Sequence, residues 1–571
     1  TEVVIYDVTY DLMKLKNTYD HFFKYQEITD ILTAYAAEHP ELCRLSPLAV
    51  TREGRNIWMI EITDLSTGDF ADKPGFAVTG NIHAGEVTGN AAAMYFLDTI
   101  FSNLDDPKIA DLLKDYTVYC IPRISPDGSE LYLTTTTMLR SVPAMYPFEQ
   151  PMPGLQPKDL DGDGVIRQMR IQDPAGAFKV DPDDPRVMIR RQPDDTEGPF
   201  YNIYGEGEIL EFDPLEDVVA APPQMGNDLN RNFPFSWAPE NRQKGSGDFA
   251  LSNTESRAIA EFMNSHKNIC TILHFHTMGG QYLYPPGYKS GKEAHKEDMD
   301  RYKAIGEMAV KETGYVCWNV RDDYMGSRPG EILGLCDDFC HFAMGVLNYT
   351  CECWDFDARA GMPHVSPNKP KTFDEQIALF KARLKWLDEN NNGEGFMMWT
   401  PFDHPQLGKV EIGGFDYKGV IQNPPLKFLE SVIEGHTRFL LREMRCLPHL
   451  YTRDKKVTKV AEDTYKIEMV IGNSSYLPTY VLREALDNRK AAPIEVTLQG
   501  AEPVSGKAKE TIGHLNGFWN SCEVGMTGSA TPAHMPTFKK LTWVVKAPAG
   551  TVLTVTAAAP RAGKLVETIT L

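Results

Sequence analysis

The chain has 571 residues, 42% hydrophobic and 24% charged; 58 Lys and Arg stand against 79 Asp and Glu, for a formal net charge of −21. At roughly 150 residues per domain it holds more than one domain. An acidic surface repels phosphate backbones, which sets nucleic acid aside as a partner. No apolar run reaches the roughly 20 residues of a membrane-spanning helix, so membrane insertion is not expected, and ten cysteines are too few for a disulfide scaffold in so long a chain.

In chain order, Tyr25 to Glu38 set Ile28, Ile31, Leu32 and Tyr35 at helical spacing, with Pro40 as a stop. Asn56 to Thr63 alternate like a strand, and Phe76 to His83 read as a short apolar strand followed by a helix over Glu86 to Leu104. Thr117 to Ile124 is a further strand, and Ser125-Pro126-Asp127-Gly128 reads as a turn. Between Met138 and Pro223, Pro, Asp and Gly dominate; residues 138–223 are expected to be an irregular insertion held by something other than a core. Thr271 to His276 and Val346 to Trp354 read as strands, Phe373 to Asn390 and Pro424 to Arg445 as helices. Strands alternating with helices predict an α/β unit, a mixed twisted sheet flanked by helices, over residues 1–448. After Cys446-Leu447-Pro448 the pattern turns to alternation. Leu541 to Lys546 and Thr551 to Thr556 flank Ala547-Pro548-Ala549-Gly550 as a hairpin, and Lys564 to Leu571 makes a last strand. Residues 449–571 are expected to form a β-sandwich.

In open α/β sheets, ligands gather at the carboxyl ends of strands. His83, His276 and Glu352 fall there. His83-Ala84-Gly85-Glu86 leaves a strand and opens a helix, so an imidazole and a carboxylate three apart can face one point. Both suit Zn²⁺, whose catalytic sites take three protein ligands and an open position. Alone, the pair is also what a helix N-terminus favouring a carboxylate would show. A third ligand must come from elsewhere, and His274-Phe275-His276 ends another strand.

Asp159-Leu160-Asp161-Gly162-Asp163-Gly164 puts carboxylates at alternate positions around glycines. Ca²⁺ takes six to eight oxygens, so Asp159, Asp161 and Asp163 are expected to bind calcium, completed by a downstream carboxylate such as Asp173; a solvated Asp/Gly turn is the alternative. Cys336, Cys340, Cys351 and Cys353 lie close together and are expected to be buried free thiols, with a structural zinc site as the alternative.

Further motifs follow one another: Ile121-Pro122-Arg123-Ile124-Ser125-Pro126-Asp127-Gly128, Asp228-Leu229-Asn230-Arg231-Asn232-Phe233, His276-Thr277-Met278 with Tyr284-Pro285-Pro286-Gly287-Tyr288, and Thr350-Cys351-Glu352-Cys353. With Tyr6 to Thr63 and the His83–Glu86 pair before them, their order and spacing resemble the zinc metallocarboxypeptidases of the carboxypeptidase A/T-like family, over roughly residues 15–390. The resemblance implies His83, Glu86 and His276 as zinc ligands, with His274 as a supporting or core histidine. It implies Glu352 as general base, Asn230 and Arg231 as the grip on a substrate carboxylate, and Arg170, from Arg167-Gln168-Met169-Arg170, as the oxyanion group. Tyr324 is the implied mobile cover and Asp337 the pocket floor, where an acid favours a basic C-terminal residue. Gly85 departs from the family, standing where digestive members carry an Arg. The implied activity is hydrolysis of C-terminal peptide bonds in peptides or proteins. An amide hydrolase acting on cell-wall peptides or amino-acid conjugates, and a non-catalytic binding protein keeping the fold, are the rivals. The chain begins with Thr1, which with the family resemblance suggests a secreted or periplasmic protein whose leader has been removed.

Overall fold

The computed structural model describes residues 14–326, 331–518, 522–524, 530–532 and 536–571; Tyr6, at the start of the first family motif, lies outside them. An eight-stranded mixed sheet forms the centre. Its strands run in the order Cys43–Val50, Asn56–Ile62, Thr117–Ile121, Gly75–Gly80, Ile269–Thr277, Leu347–Cys353, Gln281–Tyr284 and Val316–Asn319. The four inner strands are parallel neighbours and buried along nearly their whole length, which accounts for their continuous apolar runs. Register sets the site: His276 lies opposite Glu352, and Glu352 opposite Gln281.

Helix Tyr25–Glu38 buries Ile28, Leu32 and Tyr35, and Glu27 reaches back to the Lys24 amide at 2.8 Å. Helix Phe373–Asn390 starts on a reciprocal pair, Thr372 with Glu375. Helix Val87–Ser102 is buried on almost every side, between the sheet and helix Leu429–Met444. It approaches the sheet so closely that a Cβ at Gly89 would stand 2.7 Å from the Phe275 carbonyl. The turn expected at Ser125–Gly128 instead opens helix Pro126–Thr134; proline at the first helical position gives both signals.

The segment 138–223 is not wholly irregular. Gln168–Gln172, Phe178–Val180, Met188–Arg190 and Tyr201–Gly205 join Phe396–His404 and Gly408–Phe415 in a six-stranded sheet. Leu155, Met169, Val410 and Ile412 form a small apolar core there. Several of these strands are only three to five residues long, and the pairing that joins them to Gly408–Phe415, with Arg170 opposite Glu411, is remote in the chain, so little local periodicity announces them.

The carboxy-terminal region holds two four-stranded antiparallel sheets and a two-stranded one, Cys522–Val524 with Ala530–Pro532. Ile467, Met469, Ile471 and Trp543 from one four-stranded sheet share an apolar core with Val496, Leu498, Leu553 and Val555 from the other. The expected hairpin is absent. Phe538–Lys546 pairs with Thr464–Asn473, whereas Val552–Ala559 pairs with Ile494–Gln499 and Gly563–Thr570; the Ala547–Gly550 turn therefore crosses between sheets. Leu477, Val481 and Leu482, from the link between two sandwich strands, belong to the main apolar cluster of the α/β unit. The Arg561 guanidinium donates to the Met344 and Gly345 carbonyls at 2.6 and 2.8 Å. Among the described residues no helix is long and apolar enough to cross a membrane.

Candidate metal centre

Strand Gly75–Gly80 ends where Asn81 takes a left-handed backbone, φ 59°, tolerated by Asn because its side chain bonds locally. Its amide nitrogen donates to the His83 and Ala84 carbonyls at 2.6 and 3.2 Å, and its oxygen accepts from Ser129 Oγ at 2.9 Å. That staple turns His83 and Glu86 into the end of the sheet. His83 Nδ1 lies 2.8 Å from Glu86 Oε1, His276 Nδ1 2.8 Å from Glu86 Oε2, and the two ring nitrogens 3.1 Å apart. All three residues are 2% exposed.

These donors fit zinc. Their separations fall a few tenths of an ångström inside the roughly 3.3 Å edge of a tetrahedral zinc polyhedron. His83 Nε2 meets Asp228 Oδ1 at 3.0 Å, which leaves the Nδ1 lone pair facing the cluster. Burial pushes the Glu86 carboxyl up, but His83 and His276 outweigh it and hold the group well below the carboxylate range. Asp228 is likewise raised by burial yet brought far down by Arg140, Arg231 and His83. Burial lowers His276, which favours the neutral, ligating imidazole.

Glu352 projects from the neighbouring strand with Oε2 buried and, among the described residues, unpartnered. Burial, then the Glu86 charge, raises it well above the carboxylate range, and Arg140 opposes the shift. Arg140 bridges the cluster, its Nη1 3.0 Å from Glu86 Oε1 and its Nε 3.0 Å from Asp228 Oδ2. Asn230 Oδ1 accepts from the Cys336 amide at 2.8 Å. Arg231 donates to the Asn230 carbonyl at 2.7 Å and, among the described residues, has no carboxylate within ion-pair distance. Tyr324 is pushed up to about 12, by burial and then by Glu352, with Arg140 and Arg231 opposing, so it borders the same cleft. Asp337 is 3% exposed and accepts from Thr350 Oγ1 at 2.6 Å.

The structure does not bring Arg170 to this cluster. Its strand belongs to the six-stranded sheet, where the guanidinium bonds Glu411 at 2.8 Å and sits between the rings of Tyr201 and Trp399, 4.7 and 4.8 Å from their centroids. Arg140 holds the cluster instead. Arg140 and Asp228 are the residues that sequence reasoning passed over. Asp228 had a readable signal, an acid immediately before Leu229-Asn230-Arg231, since ligating imidazoles commonly give their other nitrogen to a carboxylate. Arg140 lies at the head of the Pro- and Asp-rich segment and carries no periodic signal. The Gly85 departure has a steric reason: a Cβ there would meet Tyr132 at 2.6 Å and the Gln422 amide at 2.7 Å.

In the Asp-Gly loop, carboxylates of Asp159, Asp161 and Glu206 converge. Asp163 instead pairs with Arg167, and Asp173 is turned to the Ala175 amide and Asn202, at 2.8 and 3.0 Å. Glu206, not Asp173, is the downstream acid beside the loop.

A family model described as zinc carboxypeptidase matches residues 28–366, and one described as a domain of unknown function matches residues 449–570. Human carboxypeptidase D is 29% identical over 123 residues, 21% of this chain and 9% of that protein. Pig carboxypeptidase A1 is 22% identical over 50% of this chain and 51% of its own length. The chain thus spans less than two thirds of the relatives it matches. Among solved structures, carboxypeptidase A from Helicoverpa armigera aligns over 66% of this chain and 76% of its own, at 17% identity and a TM-score of 0.40. Thrombin activatable fibrinolysis inhibitor aligns over 65% and 76%, at 15% identity and a TM-score of 0.40.

Proposed function

Because the chain belongs to the zinc carboxypeptidase family, we propose that it is a zinc-dependent exopeptidase releasing C-terminal residues from peptides or proteins. The observation that carries this reading is the buried convergence of His83, Glu86 and His276 one strand away from a Glu352 oxygen that has no partner among the described residues. Zinc, held by those three residues, would supply a Lewis acid that brings the pKa of a water from 15.7 to about 7. Glu352 takes the proton on Oε2 and returns it to the leaving amine. Arg140 replaces Arg170 as the group that steadies the developing oxyanion, since its guanidinium already lies at the cluster. Asp228 holds His83 in its ligating tautomer. Arg231, with no carboxylate on its fork among the described residues, meets the substrate's terminal carboxylate with Asn230 beside it. Tyr324 borders the bound residue, and Asp337 favours Lys or Arg at the terminus.

A peptide panel tests this reading. Zinc-loaded protein should release free C-terminal Lys or Arg faster than Leu, and should leave C-terminally amidated peptides intact. Cleavage of muropeptides or acylated amino acids alone would favour the rival amide hydrolase, and no turnover with full zinc occupancy would favour the binding protein. The reading extends to calcium at Asp159, Asp161 and Glu206, tested by calorimetric titration of calcium-free protein, and to secretion, tested by locating the protein in cell fractions.

A further inference from the structure

A second convergent donor set lies buried on the strand that carries His276. His274 Nε2 stands 3.7 Å from Cys336 Sγ and 3.9 Å from Cys340 Sγ, and the two sulfurs are 4.0 Å apart. The residues are 3%, 2% and 0% exposed. The other ring nitrogen, Nδ1, is engaged by the Thr79 hydroxyl at 2.8 Å. An outer hydrogen bond of this kind aims an imidazole at a metal.

The separations carry the argument. With metal–sulfur bonds of about 2.3 Å and metal–nitrogen bonds of about 2.0–2.1 Å, three donors in a plane around one ion sit roughly 3.8–4.0 Å apart. The observed triangle matches those edges within about 0.1 Å. Thiolate donors select zinc and monovalent copper over hard cations. We propose that His274, Cys336 and Cys340 bind one thiophilic d10 ion, Zn²⁺ or Cu⁺, in a three-donor site distinct from the catalytic cluster. Binding releases the two thiol protons to solvent and forms two metal–sulfur bonds and one metal–nitrogen bond. The ion would couple to the substrate pocket, because the Cys336 amide holds Asn230 Oδ1 at 2.8 Å and Asp337 follows next in the chain.

A neighbouring trio, Cys351, Cys353 and His436, is the comparison site; its His436 Nε2 has no hydrogen-bond partner among the described residues. There the ring nitrogen facing Cys351 at 3.6 Å already meets the Tyr282 hydroxyl at 2.6 Å. The experiment uses full-length protein carrying His83→Ala, reduced and kept free of oxygen, so that the catalytic cluster is disabled. Titration with Co²⁺ should give one equivalent with a near-ultraviolet sulfur-to-cobalt charge-transfer band. Competition of Zn²⁺ and of Cu⁺ for that band identifies the native ion. The band should vanish in Cys336→Ser and Cys340→Ser and persist in Cys351→Ser. Absence of any thiolate band in the His83→Ala protein overturns the proposal, and so does a band lost with Cys351→Ser but kept with Cys336→Ser. The first reading needs no cysteine variant, so it stays decisive even where one fails to fold.

Discussion

The end of the central sheet and the carboxy-terminal sandwich bury different things. In the cleft, His83, Glu86, Asp228, His276 and Arg140 put imidazoles, carboxylates and a guanidinium within hydrogen-bond distance of one another. In the sandwich, the shared core is made of Ile467, Met469, Trp543, Val496, Leu553 and their apolar neighbours. Burying ions costs free energy unless they are paired, whereas apolar burial stabilises at about 25 cal/mol per Å². Substitutions in the first region should therefore alter turnover, and those in the second should alter stability.

The largest effect belongs to Glu352→Gln. Removing the proposed general base should lower kcat by about 10⁴-fold, the upper end of its usual range, while zinc content measured by mass spectrometry should match the wild type; retained turnover would remove Glu352 from the reaction. Next comes Trp543→Ala. Emptying that site, 1% exposed, costs about 3–5 kcal/mol in denaturant unfolding without moving kcat/KM of the molecules that remain folded. Arg140→Ala should lower kcat by about 10²–10³-fold, the usual loss for one oxyanion donor, while Arg170→Ala should leave kcat unchanged and loosen the Tyr201–Trp399 packing. Equal kinetic losses from both would erase the distinction between them.

The smallest effect is a pH dependence inside the α/β unit. The Glu443 carboxylate is buried, and burial, opposed by the neighbouring Thr271 hydroxyl, pushes the group from 4.5 up to about 8. An acid raised in the folded state stabilises it in full below the unfolded pKa, and that contribution is lost as pH rises through about 8. The Tm of the wild type should fall between pH 5 and 8.5 more steeply than that of Glu443→Gln, measured by differential scanning calorimetry. Identical slopes would mean that Glu443 is solvated.

What sequence alone reveals tracks how local each cause is. Helices Tyr25–Glu38 and Phe373–Asn390 are legible to the residue because their apolar stripes and end signals lie in one short stretch. His83 and Glu86 are legible because three positions at the start of a helix suffice to place them. The placement of Gly408–Phe415 in the six-stranded sheet is not, since its partner strand Gln168–Gln172 is remote in the chain. Arg140 is hidden for the same reason: its meaning comes from contacts with Glu86 and Asp228, not from its neighbours. Arg167-Gln168-Met169-Arg170 illustrates the converse, a short motif whose strand pairing carries Arg170 onto aromatic rings.

Leu477, Val481 and Leu482 sit among the side chains of the α/β unit although strands before and after them build the sandwich. The polypeptide is stitched through its neighbour rather than tethered to it. Calorimetry should record one melting event for both halves, and a chain cut after Pro448 would be left with a greasy scar where those three residues had been.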